Sequence, residues 1–210
     1  MEPIEQSGLY YPNKIARIYL EAMEEVLGKN SLVDAFRVAG LTELIDHFPP
    51  SNLNKEFDFA SYAALNAALD EIYGPRGGRG LALRSGQVAF DHGLKNFGAL
   101  AGAGHAAFRV LPLETRLSMG LAALAGVFNH FSDQHTTVDD VGDAYDYHLH
   151  KCAVCWGRTS DRPICYAAVG VLQDGLRWLS GGREFRVEQT LCKAAGDDKC
   201  SFHIQKESLS

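Results

Sequence analysis

All five cysteines of this 210-residue chain lie in its last quarter: Cys152, Cys155, Cys165, Cys192 and Cys200. None precedes Cys152. Three uses of clustered thiols compete. Disulfides need an oxidising compartment and usually an even count, and five is odd. Metal ligation suits the Cys152-x-x-Cys155 pair, because one turn then supplies two thiolates. Free thiols also pack as small hydrophobes. Trp156 stands where a c-type haem attachment signature would need histidine, so that signature is absent.

The elements around the cysteines are expected to bring three of them together. Asp161-Arg162-Pro163 reads as a helix start, with Asp161 as N-cap. Ile164 to Leu179 then carries Cys165, Val169, Leu172, Leu176 and Leu179 on one face. Ser180-Gly181-Gly182 stops that helix. Phe185, Val187, Gln189 and Leu191 alternate with charged or polar neighbours, as in a half-buried strand. Gly196-Asp197-Asp198 is a turn, and Cys200, Phe202 and Ile204 alternate on a last strand. A hairpin sets Cys192 beside Cys200, and the helix packed on it brings Cys165 over both.

Three motifs here resemble a known family: Cys165-x4-Gly170, Val187-x-x-Thr190-x-Cys192, and Ala195-Gly196-Asp197-x-x-Cys200-x-Phe202-x-Ile204. Together they look like the 4-vinyl reductase domain, also called the hydrocarbon-binding domain. It occurs in a bacteriochlorophyll-synthesis protein and in the sensor modules of phenol-responsive transcription activators. The match is dense over residues 143–205. Upstream, Pro12-Asn13 and the run Gly80-Leu81-Ala82-Leu83-Arg84-Ser85-Gly86 with Phe90 resemble the family's N-terminal half.

The resemblance implies an α+β fold like that of the TRAPP vesicle-tethering subunits, with a helical N-terminal layer on a small antiparallel sheet. It implies a zinc held by three cysteines, here Cys165, Cys192 and Cys200, and a glutamate. The family's glutamate position is occupied by Gln189, a poor zinc ligand. Glu188 shares a strand face with Cys192 by alternation and is one candidate for the fourth ligand. Cys152 and Cys155 are the others. The resemblance also implies an apolar or aromatic ligand.

The remainder of the chain reads as an N-terminal helical segment over 1–73 and a 4-vinyl reductase-like part over 74–210, in one continuous unit. Helices are expected from Pro12 to about Leu27, from Ser31 to Val38, from Leu41 to Phe48 and from Phe57 to Tyr73. This layer reads as packing or as the face of a homodimer. Gly74-Pro75-Arg76-Gly77-Gly78-Arg79-Gly80 reads as a connector. It lacks the Gly-Lys-Ser/Thr of a P-loop, and Arg76, Arg79 and Arg84 are its candidate anion contacts. Residues 81–134 read as helices rich in small residues, over Leu94–Phe108 and Leu113–Phe131. Composition alone favours tight packing there, while the resemblance implies a ligand pocket. Residues 136–142 read as a polar link and 143–151 as a strand. His148 and His150 on that strand are candidate metal ligands or exposed polar positions. His130 reads as a surface histidine.

No dinucleotide fingerprint, ferredoxin-like cluster pattern or nucleophile–base spacing appears, so no catalytic residue is named. A four-ligand thiolate zinc is closed and structural. The chain thus reads as a sensor or carrier of a hydrophobic small molecule, aromatic or tetrapyrrole-like. A component of bacteriochlorophyll vinyl-group reduction is the alternative. A net charge of −6 with no basic stripe argues against nucleic acid. Apolar runs are too short to span a bilayer, and no signal peptide is seen, so a cytoplasmic location is expected.

Overall fold

Apolar residues at helical spacing dictate the N-terminal layer. In the computed structural model, which describes residues 2–97, 108 and 110–209, α1 (Asn13–Leu27) buries Ile18, Tyr19, Ala22 and Met23. Gly28, at φ 79°, breaks the chain, and α2 (Lys29–Ala39) starts directly from it, two residues before Ser31. The helix expected over Leu41–Phe48 is only a 3-10 turn, Thr42–Leu44, within a stretch closed by Pro49-Pro50. Two short strands, β1 (Tyr10–Pro12) and β2 (Lys55–Asp58), pair antiparallel and bracket this layer.

The connector expected at Gly74–Gly80 is instead helical. α3 (Phe59–Phe97) is broken only at Gly74 (φ 71°, ψ 165°). Pro75 then opens the second segment, where a missing N–H costs nothing. Gly78 sits inside the helix because a Cβ there would collide with the Asp70 backbone. The glycines serve a tight kink rather than a loop. Two of the three candidate anion contacts are otherwise engaged: Arg79 lies 4.7 Å over the Tyr166 ring, and Arg84 bonds Gln87.

α4 (Leu113–Phe131) follows. Of the helix expected over Leu94–Phe108, residues 98–107, with Gly98, Gly102 and Gly104, lie outside the described residues.

The C-terminal part is a four-stranded antiparallel sheet in the order β3-β4-β6-β5. Its strands are β3 (Thr136–Asp140), β4 (Ala144–Leu149), β5 (Phe185–Leu191) and β6 (Cys200–Ser208). The expected polar link is thus partly strand: β3 pairs with β4 through Thr136–Leu149 and Asp140–Tyr145. It is an edge strand, and edges carry charge to block further pairing, which hides them from hydropathy.

α5 (Tyr166–Ser180) lies between β4 and β5 in chain order. It begins five positions after Asp161. Pro163 disfavours helix at the residue before it, so Asp161 is no N-cap. Cys165 takes that place, its carbonyl accepting from Ala168 and Val169 N–H. α5 crosses α3 closely at Gly170 and Gly86: a Cβ on either would strike the carbonyl of Leu83 or Ala167 on the facing helix. One hydrophobic cluster runs from Tyr11 through Leu65 and Leu176 to Ile204 and joins the helical layer to the sheet.

Candidate metal centre and apolar cavity

The thiols come together at the end of the sheet where β4 leaves and β6 begins. Leu149 pairs with Cys200 at that end. The chain after β4 turns through Cys152 and Cys155, and Arg158 N–H closes the turn on the Cys155 carbonyl. Arg158 then pins this loop to α3 by donating to Asp70 Oδ2 at 2.6 Å. Cys165 enters from the start of α5. Cys192 follows β5, and its N–H is held by Asp197 Oδ2 at 2.7 Å. Gly196, at φ 99°, makes the left-handed turn that brings Asp197 back. The Gly196-Asp197 pair is thus a thiol-positioning turn.

All five cysteines are buried and unpaired by disulfide. Sγ separations are 3.6 Å for Cys152–Cys165, 3.4 Å for Cys155–Cys200, and 3.8 Å for both Cys165–Cys200 and Cys165–Cys192. The sulfurs of Cys152, Cys155, Cys165 and Cys200 all lie within 4.8 Å of one another and are close enough to hold a metal ion. Tetrahedral Zn–S bonds of about 2.3 Å require sulfur–sulfur edges of about 3.8 Å, so the donor set fits. Cys192 is a fifth thiol at the edge of this group. The Lys193 N–H points to Cys200 Sγ at 3.4 Å, the kind of outer contact that favours a thiolate. The surrounding thiols, Cys152 first, hold the Cys155 thiol well below its ordinary range, while burial pushes Cys165 up. Crowded thiols of this kind share out their protons unequally.

Glu188 is not brought into the cluster. Its carboxylate is exposed and meets Arg186 Nη2 at 3.1 Å. Gln189 is near the cluster but serves the backbone: its Oε1 accepts the Cys165 N–H at 2.9 Å. His148 is buried, with its ring bonded to Ser201 and Asp139, and His150 meets Thr137. Neither joins the thiols. His130 lies against the Phe131 ring.

Beside the cluster is a cavity of about 290 Å³. Its walls come from α1 (Ile15, Ile18), α3 (Ala89, Phe90), α4 (Leu121, Leu124), β4 (Tyr147, Leu149) and α5 (Leu172, Trp178). Val154, between Cys152 and Cys155, is also in the wall, so the thiol loop and the cavity share a residue segment. Gly120 and Gly175 widen it, since side chains there would press on Leu179 and Phe90. The few polar lining groups are mostly paired. Tyr11 Oη donates to Gln134 Oε1 at 2.6 Å, and Tyr19 Oη donates to Asn66 Oδ1 at 3.0 Å. Gln134 and the three tyrosines of the wall outside β4 were not singled out from sequence. Their signal is weak, because tyrosine on an apolar helix face reads as ordinary core.

The family model of the 4-vinyl reductase domain matches residues 146–206. No curated protein matches the chain. Among solved structures, an H-NOX protein of T. tengcongensis is similar at 13% identity and TM-score 0.57, over 95% of this chain and 100% of that one. An H-NOX protein from S. oneidensis in the Fe(II)NO ligation state is similar at 12% identity and TM-score 0.56, over 92% of this chain and 99% of that one. The phenol-responsive sensory domain of the transcription activator PoxR, solved with phenol, is similar at 19% identity and TM-score 0.52, over 70% of this chain and 73% of that one. At these identities the structural likeness shows a shared fold alone. No helix among the described residues is long and apolar enough to cross a membrane.

Proposed function

From a 4-vinyl reductase domain over residues 146–206 and the cavity it helps to wall, we propose that this chain binds a hydrophobic small molecule, aromatic or tetrapyrrole-like, as a sensor or carrier and not as an enzyme. The observation that carries the reading is the cavity: an apolar space with few polar groups, walled by helices and sheet alike, is the usual form of a small-molecule site. The phenol bound by the PoxR sensory domain and the fold shared with H-NOX proteins support the same reading. Zinc is the proposed metal, held by four of the five thiolates, because an all-sulfur set with tetrahedral spacing suits it. With four protein ligands it would fix the loop from Cys152 to Cys155 and leave no open position for chemistry.

The test is elemental analysis, absorption spectroscopy and denaturing mass spectrometry on one natively purified sample, followed by titration with naphthalene. About one zinc per chain and saturable naphthalene uptake are expected. A co-purified aromatic would name the ligand class, and a Soret band would place a tetrapyrrole in the cavity. A metal-free protein with five titratable thiols would overturn the zinc assignment. No saturable uptake, together with no co-purified organic molecule, would overturn the binding role.

A further inference from the structure

Tyr147 sits on β4 among the residues that line the cavity and is only 3% exposed. Among the described residues its hydroxyl has no hydrogen-bond partner. Thr136 lies beside it but outside hydrogen-bonding geometry. The nearby polar groups are committed to one another: Tyr11 Oη donates to Gln134 Oε1, and Gln134 Nε2 donates to Thr136 Oγ1 at 3.0 Å. Burial pushes the Tyr147 phenol up, so it stays protonated and able to donate. Buried hydroxyls are nearly always paired, and an unpaired one keeps its full desolvation cost. A phenylalanine would fill the same space without that cost. The hydroxyl is therefore explained if a bound molecule supplies the acceptor.

The rest of the wall restricts what that molecule can be. None of the described lining residues is Lys, Arg, His, Asp or Glu. Among the described lining residues a carboxylate or ammonium group would find no counter-charge, and an apolar site does not tolerate a lone charge. An uncharged oxygen meets no such barrier.

We propose that Tyr147 determines the specificity of the cavity by donating a hydrogen bond to an uncharged oxygen on an otherwise apolar ring compound, an aromatic alcohol or ketone. The inference rests on the binding reading above and narrows its ligand class. A site built around one buried donor discriminates by leaving that donor unpaired when the wrong molecule binds.

The experiment compares 2-naphthol with 2-methylnaphthalene, which differ by a hydroxyl in place of a methyl, on the wild-type chain and on Tyr147→Phe. The variant is expected to bind 2-naphthol roughly tenfold more weakly, the scale of one buried hydrogen bond. It is expected to bind 2-methylnaphthalene as well as the wild type does, or better. Equal changes for the two probes would overturn the role of Tyr147 while leaving the apolar site standing. No binding of either probe to a wild-type chain that carries no co-purified organic molecule would overturn both readings. A second measurement needs no variant: the carbonyl stretch of 2-acetylnaphthalene bound to the wild type. It should be shifted to lower frequency than in an alkane, and an alkane-like frequency would overturn the hydrogen bond.

Discussion

Asp58 precedes the first residue of α3 and accepts the Ala60 N–H at 2.7 Å, so it caps that helix. The same carboxylate takes the Ser7 hydroxyl and the N–H groups of Ser7 and Gly8. Burial alone would raise its pKa, but the Ala60 and Ser7 donors outweigh burial and hold it below the usual carboxylate value. A lowered folded-state pKa stabilises above the unfolded value near 3.8 and is lost as pH falls through the folded one. Asp58→Ala should thus cost about 1–2 kcal/mol in urea melts at neutral pH. It should also flatten the acid limb of the stability curve; an unchanged limb would show that the cap contributes nothing. At this scale the thiols were legible, because cysteine is scarce and all five fell in one stretch. Glu188 was misread for a definite reason. Alternation puts it on the face of Cys192, but β5 is irregular between Gln189 and Leu191. An extra residue in a strand reverses the parity beyond it. Cys192 therefore turns inward while Glu188 stays out. Tyr147 was read as one member of an alternating strand, and nothing in that pattern marks its hydroxyl as unpaired.

Helix α3 shows what a run of glycines can mean at the scale of an element. Gly86 and the facing Gly170 let α3 and α5 approach until backbone meets backbone. Gly80, in the same helix, has nothing within 4 Å of where its Cβ would stand. The two positions should respond oppositely to alanine. Gly80→Ala should stabilise the protein by about 0.5–1 kcal/mol, since alanine is the better helix former. Gly170→Ala should destabilise it by about 1–3 kcal/mol, because close-packed backbone cannot yield as a flexible side chain does. Chemical denaturation of the pair decides the matter, and a stabilising Gly170→Ala would mean the helices stand further apart than described. Periodicity exposed α1, α5 and β4 well, since each has one apolar face. It failed at Gly74–Gly80, where composition signals a loop but the glycines serve a kinked helix. It also failed at β3, whose outward residues are acidic. The motif glycine Gly170 was visible in the sequence, yet its purpose depends on a partner helix far upstream, as the approach to Leu83, 87 positions earlier, shows.

For the whole molecule, the thiol cluster and the cavity are held by one loop. Val154 faces the cavity between two candidate ligands, Arg158 ties the loop to α3, and Ser160 N–H bonds the carbonyl of Ala194, two residues after Cys192. The resemblance had pointed to the sensor modules of phenol-responsive activators, and such a sensory domain is similar in fold, as are H-NOX proteins. The hydrophobic cluster spans both halves, so the chain has a core without any metal. Loss of the proposed zinc should then loosen the protein and not unfold it completely. A ligand present at a thousandfold excess over its Kd adds about 4 kcal/mol to the folded state. For a chain of this size that corresponds to a Tm lower by roughly 10 °C once a chelator strips the metal under reducing conditions. Affinity for an apolar probe should fall with it, because Val154 loses its support, and added zinc should restore both. By reciprocity, a saturating probe should raise the chelator concentration needed to remove half of the metal at equilibrium. If stripping lowers Tm while probe affinity is unchanged, the two sites are neighbours without coupling, and the loop is only a fastening.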